Sequence, residues 1–154
     1  MKIRHQLICT LLAAAFAAPA AAGDTATLAV TANVSGTCKF TTGSFTMNFG
    51  TLDPSAAANQ AQATALTYKC TQGTAASSFS FDGAAVSPTS VSITNGTDNI
   101  PVALSWTVPA TQGSGFGAGS SAISMNVTGN ITGTNYANVS AGVYTKNVSV
   151  VVAP

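Results

Sequence analysis

The stretch TATLAVTANVSGTCKF, residues 25–40, decides how the rest of the chain is read. Its even-numbered positions Leu28, Val30, Ala32 and Val34 are apolar, while Thr27, Ala29, Thr31 and Asn33 between them are small or polar. Alternation at period two is the pattern of a strand that buries one face, and no turn residue interrupts it before Gly36. The stretch is therefore expected to form one long strand, and such a strand needs a sheet to join. That sheet belongs either to its own domain, which makes this an ordinary first strand, or to another molecule.

Upstream, Lys2, Arg4 and His5 precede an apolar run from Leu7 to Ala18 and the small residues Ala20, Ala21, Ala22 and Gly23. A short basic region, an apolar core too short to span a bilayer and a small-residue site predict a secretory signal peptide over residues 1–22. Cys9 follows Gln6, Leu7 and Ile8 rather than the small residues of a lipid-attachment site, so it is expected to leave with the signal. The remainder is one domain by length. It divides into a leading segment over residues 23–36 and a β-domain over residues 37–154.

Cys38 and Cys70 then lie in an exported chain, where a disulfide is the default expectation. Cys38 shares its parity with Val34 and Phe40, and Cys70 shares its own with Leu66 and Tyr68. Both thiols are thus expected to point inward, where they can meet across the core or between adjacent strands. A bridge of this span stabilises by about 3 to 4 kcal/mol in the chain-entropy account. Two thiols and no remaining histidine give no metal site, and no cofactor motif is present.

After the signal only Lys39, Lys69 and Lys146 stand against Asp24, Asp53, Asp82 and Asp98, three minus four, a net charge of about −1. No basic patch marks a nucleic-acid partner. Serine and cysteine hydrolases need a base and glycosidases a carboxylate pair. Asp53-Pro54, Asp82-Gly83 and Asp98-Asn99 are turn formers by context, so no catalytic residue is assigned and an enzyme is not expected.

Downstream, Phe45, Met47 and Phe49 alternate with polar residues up to Gly50 and predict a short strand. Residues 55–63 are rich in Ala, Gln and Asn without an apolar stripe, which reads as a surface connection. Further strands are expected over residues 64–71, around Phe79 and Phe81, around Val91 and Ile93, over residues 100–108, and from Ile123 through a break at Gly129 to Ile131. Trp106 shares its parity with Ile100, Val102 and Leu104 and is expected in the core. Residues 111–121, with four glycines around Phe116, read as a mobile loop. In the last strand Tyr144, Val148, Val150 and Val152 share one face, with Val143 and Val151 on the other.

Short strands at regular intervals, turns between them and one inter-strand disulfide predict an antiparallel β-sandwich of immunoglobulin type. The motifs VTANVSGTCKF, NFGTLDP, ALTYKC and AGVYTKNVSVVVAP resemble the spore coat protein U domain, which is shared by subunits of archaic chaperone-usher pili. The resemblance implies an all-β, incomplete immunoglobulin-like sandwich that lacks its last strand and carries an N-terminal donor strand. A periplasmic chaperone lends a strand to the open groove, and at the outer-membrane usher the leading segment of the next subunit replaces it. Leu28, Val30, Ala32 and Val34 are then the donor side chains, and Tyr144, Val148, Val150 and Val152 line part of the acceptor groove. The implied product is a surface fibre for adhesion or biofilm formation. A coat protein of a spore or cell surface, and a glycan-binding module using Trp106 and Phe116, are the other readings.

Overall fold

The computed structural model describes residues 23–154; the expected signal peptide, residues 1–22, lies outside them. By internal contacts the chain divides into two units, Met1–Asn33 and Val34–Pro154. In the first, residues 23–33 carry no regular secondary structure and their side chains are exposed. The long strand expected over residues 25–40 is thus corrected to β1, Cys38–Phe40. Period-two alternation reports which side chains share a face, but a strand also needs a neighbour to complete its hydrogen bonds, and among the described residues no backbone group of 25–36 pairs with another backbone group.

The second unit is an all-β, incomplete immunoglobulin-like antiparallel sandwich. Its remaining strands are β2 (Gln60–Cys70), β3 (Ser78–Phe81), β4 (Thr89–Thr94), β5 (Asn99–Trp106), β6 (Ile123–Ile131) and β7 (Val150–Ala153). One sheet has the order β1-β2-β6-β5-β4, and the other is the pair β3-β7. β2 begins four residues earlier than the alternation of residues 64–71 suggests, because Gln60 to Ala63 pair with Ile131 to Thr128. Pairing with a long partner recruits these uncharged Gln and Ala residues into the sheet, where propensity alone leaves them in a connection.

The core is the set of inward side chains from both sheets. Tyr68, Phe79, Ile100, Val102, Met125, Val127, Ile131 and Tyr136 are fully enclosed. Tyr68 meets Phe79 edge to face at 5.2 Å, and Phe81 packs on Trp106 at 4.4 Å, which places the tryptophan inside. Cys38 and Cys70 face each other directly across β1 and β2 and are disulfide-bonded. The same register sets Lys39 opposite Lys69 on the outer face of the sheet's rim strand. The glycine-rich stretch 111–121 is tethered rather than free at its front: Gly113 exchanges hydrogen bonds with Gly73 and Thr74, and Gly115 donates to the Cys70 carbonyl at 3.0 Å.

A 3-10 turn, Gly133–Asn135, follows β6. Its Gly133 N–H donates to Asn59 Oδ1 at 2.9 Å, and the buried Tyr136 donates its hydroxyl to the Ala58 carbonyl. Tyr136→Phe keeps the ring and removes one hydrogen bond, so it is expected to lower unfolding stability by about 1 kcal/mol in urea titration with the slope unchanged.

Candidate functional site: a groove between two extended walls

Within the sandwich unit an open groove of about 1250 Å³ runs over the core. Its floor is apolar and comes from the five-stranded sheet: Leu66, Val91, Ile100, Val102, Leu104 and Val127. One wall is residues 44–50 and the other residues 139–148 with Val150.

The first wall contains the expected strand of Phe45, Met47 and Phe49. Its alternation is real, since these three are half-buried and Ser44, Thr46, Asn48 and Gly50 are exposed. The strand assignment is corrected, however, because among the described residues no backbone group of residues 42–52 pairs with another backbone group. The wall is held by side chains instead. Thr64 donates its hydroxyl to the Thr46 carbonyl at 3.0 Å. Met47 and Phe49 lie against Gly129 of β6 so closely that a Cβ there would stand 2.4 Å from the Met47 sulfur. This is why the glycine that reads as a break in sequence sits inside a continuous strand.

The second wall has one bonded edge. Thr145 exchanges both backbone hydrogen bonds with Thr94, Ser149 accepts from the Asp82 N–H, and Ala153 accepts from Ser77. In an extended chain successive backbone groups point to opposite edges. The odd-numbered residues of this wall are thus committed to β4 and the β3 side, and the N–H and C=O groups of Lys146 and Val148 face the other way. Side chains follow the expected parity: Tyr144, Val148, Val150 and Val152 are half-buried, whereas Val143 and Val151 are exposed. Tyr144, Val148 and Val150 line the groove; Val152 does not, and stands opposite Phe79 instead.

Two carboxylates fasten this wall at its ends. Asp98 accepts hydrogen bonds from the Ser140 hydroxyl and, at 2.8 Å, from its N–H. These bonds hold the Asp98 carboxyl below the usual carboxylate range. Asp82, in the Asp82-Gly83 turn with both residues at positive φ, accepts from the Ser149 N–H at 2.7 Å and pairs with Lys146 at 3.0 Å. The Ser149 N–H and then the Lys146 ammonium lower its pKa likewise. Asp53 is lowered by Ser55 within its own turn. Burial raises the Tyr68 hydroxyl, which has no hydrogen-bond partner among the described residues.

Of the other residues singled out in sequence, Leu28 and Val30 are 85% and 83% exposed, Ala32 is exposed, and Val34 is 80% exposed. Phe45, Met47 and Phe49, and the floor residues of β2, β5 and β6, are groove residues that sequence reading did not assign. Their alternation marks them as inward-facing, but which inward residues border a gap depends on sheet order. Among the described residues no helix is long and apolar enough to cross a membrane, and no group of three or more metal-ligating side chains is found.

Searches of curated proteins and of solved structures give no match to the chain. The family model described as Spore Coat Protein U domain matches residues 24–151, nearly the whole of the described chain. The chain therefore belongs to the Spore Coat Protein U domain family, a family of structural surface and pilus-type subunits.

Proposed function

We propose that this protein is the subunit of a surface fibre assembled by donor-strand exchange, in which residues 25–34 of one copy fill the groove of the next. The observation that carries this reading is the groove itself: an apolar floor beneath two extended walls, one without backbone pairing and the other bonded along a single edge. Unpaired edges over exposed apolar surface invite a foreign strand, and adding a strand to a sheet is a general mode of association. The leading segment offers matching chemistry, with Leu28, Val30, Ala32 and Val34 on one face and no charge after Asp24 until Lys39. Burying the three larger aliphatics contributes on the order of 5 to 9 kcal/mol before ordering costs.

On this reading residues 1–22 direct export and residues 23–36 are the donor segment of the domain over 37–154. A periplasmic chaperone covers the groove until an outer-membrane usher exchanges it for the next subunit, and the fibre serves adhesion or biofilm formation. Deletion of residues 25–34 is expected to abolish denaturant-resistant polymers in surface extracts, while the chaperone complex still forms. Val30→Asp, which places a charge on the buried face, is expected to do the same. Polymers of wild-type resistance from the deletion variant would overturn the proposal.

A further inference from the structure

We infer that Asp82 and Asp98 are positioning residues of the groove, holding its second wall at both ends so that the wall's free edge stays ready for a strand. This rests on the strand-accepting reading of the groove.

Between residues 140 and 149 only three backbone N–H groups have a protein acceptor among the described residues, those of Ser140, Thr145 and Ser149. Two of the three are taken by carboxylates. Asp98 holds Ser140 from the turn between β4 and β5, and Asp82 holds Ser149 from the turn after β3. Asn95 supports the first clamp, donating at 3.0 Å to the Ser140 hydroxyl and at 3.0 Å to the Tyr144 hydroxyl, which itself donates to the Ser140 carbonyl at 2.8 Å. Lys146 supports the second through its ion pair with Asp82. A wall that cannot use its groove-side edge for its own stability needs anchors elsewhere, and charge-assisted bonds to backbone N–H groups are the strong kind. Both clamps reach the wall from turns, so they fix its position without occupying the edge that a donor strand would pair with.

Such clamps are sensitive to acid. Both carboxyls titrate below their ordinary value in the folded chain. Their contribution is therefore present above the unfolded pKa and is lost as pH falls through the folded one, in the range below about pH 4. The other titratable groups facing them are Tyr144 at Asp98 and Lys146 at Asp82. Asp53 bonds only within its own turn, so its protonation leaves this wall attached.

The test uses the full exported chain and a fluorescent synthetic peptide of residues 24–37. At pH 7, Asp98→Ala and Asp82→Ala are each expected to weaken peptide binding by about tenfold, mainly through faster release. Asp98→Asn combined with Asp82→Asn keeps an acceptor at each clamp but no charge, and is expected to lose the acid dependence of wild-type binding. Hydrogen exchange on the wild type supplies a readout that needs no variant to fold: corrected protection at Ser140 and Ser149 is expected to fall as pH drops below about 4, ahead of β5. Variants that bind the peptide as tightly as wild type, or wall amides that stay protected in acid, would overturn the role of the two aspartates and leave the groove reading intact. A wild-type chain that binds no peptide at any pH would overturn both.

Discussion

Gly133→Ala is expected to be among the most damaging single-methyl additions the chain can suffer. An ideal Cβ at Gly133 would lie 1.5 Å from the Ala57 carbonyl oxygen and 2.3 Å from its carbon. These are main-chain atoms, which cannot swing aside as the end of a flexible side chain can. Two neighbouring bonds fix this approach: Gly133 N–H to Asn59 Oδ1, and the Tyr136 hydroxyl to the Ala58 carbonyl. Relief thus requires the loop before β2 to separate from the turn after β6, with loss of both bonds and of part of the enclosure of Tyr136. Overpacking with broken hydrogen bonds puts the cost at about 3 kcal/mol or more. Urea unfolding monitored by the buried aromatics measures it. Because the obstacle is a carbonyl, Ala57→Gly added to Gly133→Ala is expected to give no rescue of the collision; a double variant restored to wild-type stability would place the conflict at the Ala57 side chain instead.

Removing the Cys38–Cys70 bridge is expected to cost about 3 to 4 kcal/mol in the chain-entropy account, for a sequence separation of 32. The local consequence matters as much as the size. β1 has three residues and only β2 as a neighbour in its sheet, so without the covalent link its end is held by single hydrogen bonds such as Thr41 N–H to the Thr67 carbonyl at 2.9 Å. Phe40 lines the groove, and fraying of β1 therefore disturbs the groove's lining. Cys38→Ala with Cys70→Ala is expected to lower the urea midpoint and to raise exchange at residues 38–41 before the rest of β2. Wild-type protein reduced after unfolding and then refolded without oxidant should match the double variant. Equal stability of the oxidised and reduced forms would show that the bridge contributes nothing.

Inward-facing residues were legible in the sequence wherever a strand has a floor beneath it. The alternation from Ile100 predicts β5, and Ile100, Val102, Leu104 and Trp106 are all buried. Parity alone turned both cysteines inward, although it left open whether they met across the core or between neighbours; the register of β1 with β2 decides for neighbours. Hydrogen-bonded pairing was harder to see. Residues 44–50 alternate as a strand does and yet have no ladder, because pairing depends on a partner elsewhere in the chain. Gln60 to Ala63 show no pattern and are a strand, because β6 lies beside them. The aspartates were read as turn formers, and Asp82 is one. That Asp82 and Asp98 also grip a segment 67 and 42 residues away was hidden, since nothing local to either position encodes so distant a partner.

The two lysines that face each other across β1 and β2 bear on how such molecules would accumulate. Like charges set directly opposite one another repel, and cations on a rim strand are a recognised guard against unwanted lateral stacking. A newcomer approaching that margin of the five-stranded layer meets doubled positive charge rather than a bare ladder. Lateral addition at that one margin is thereby disfavoured.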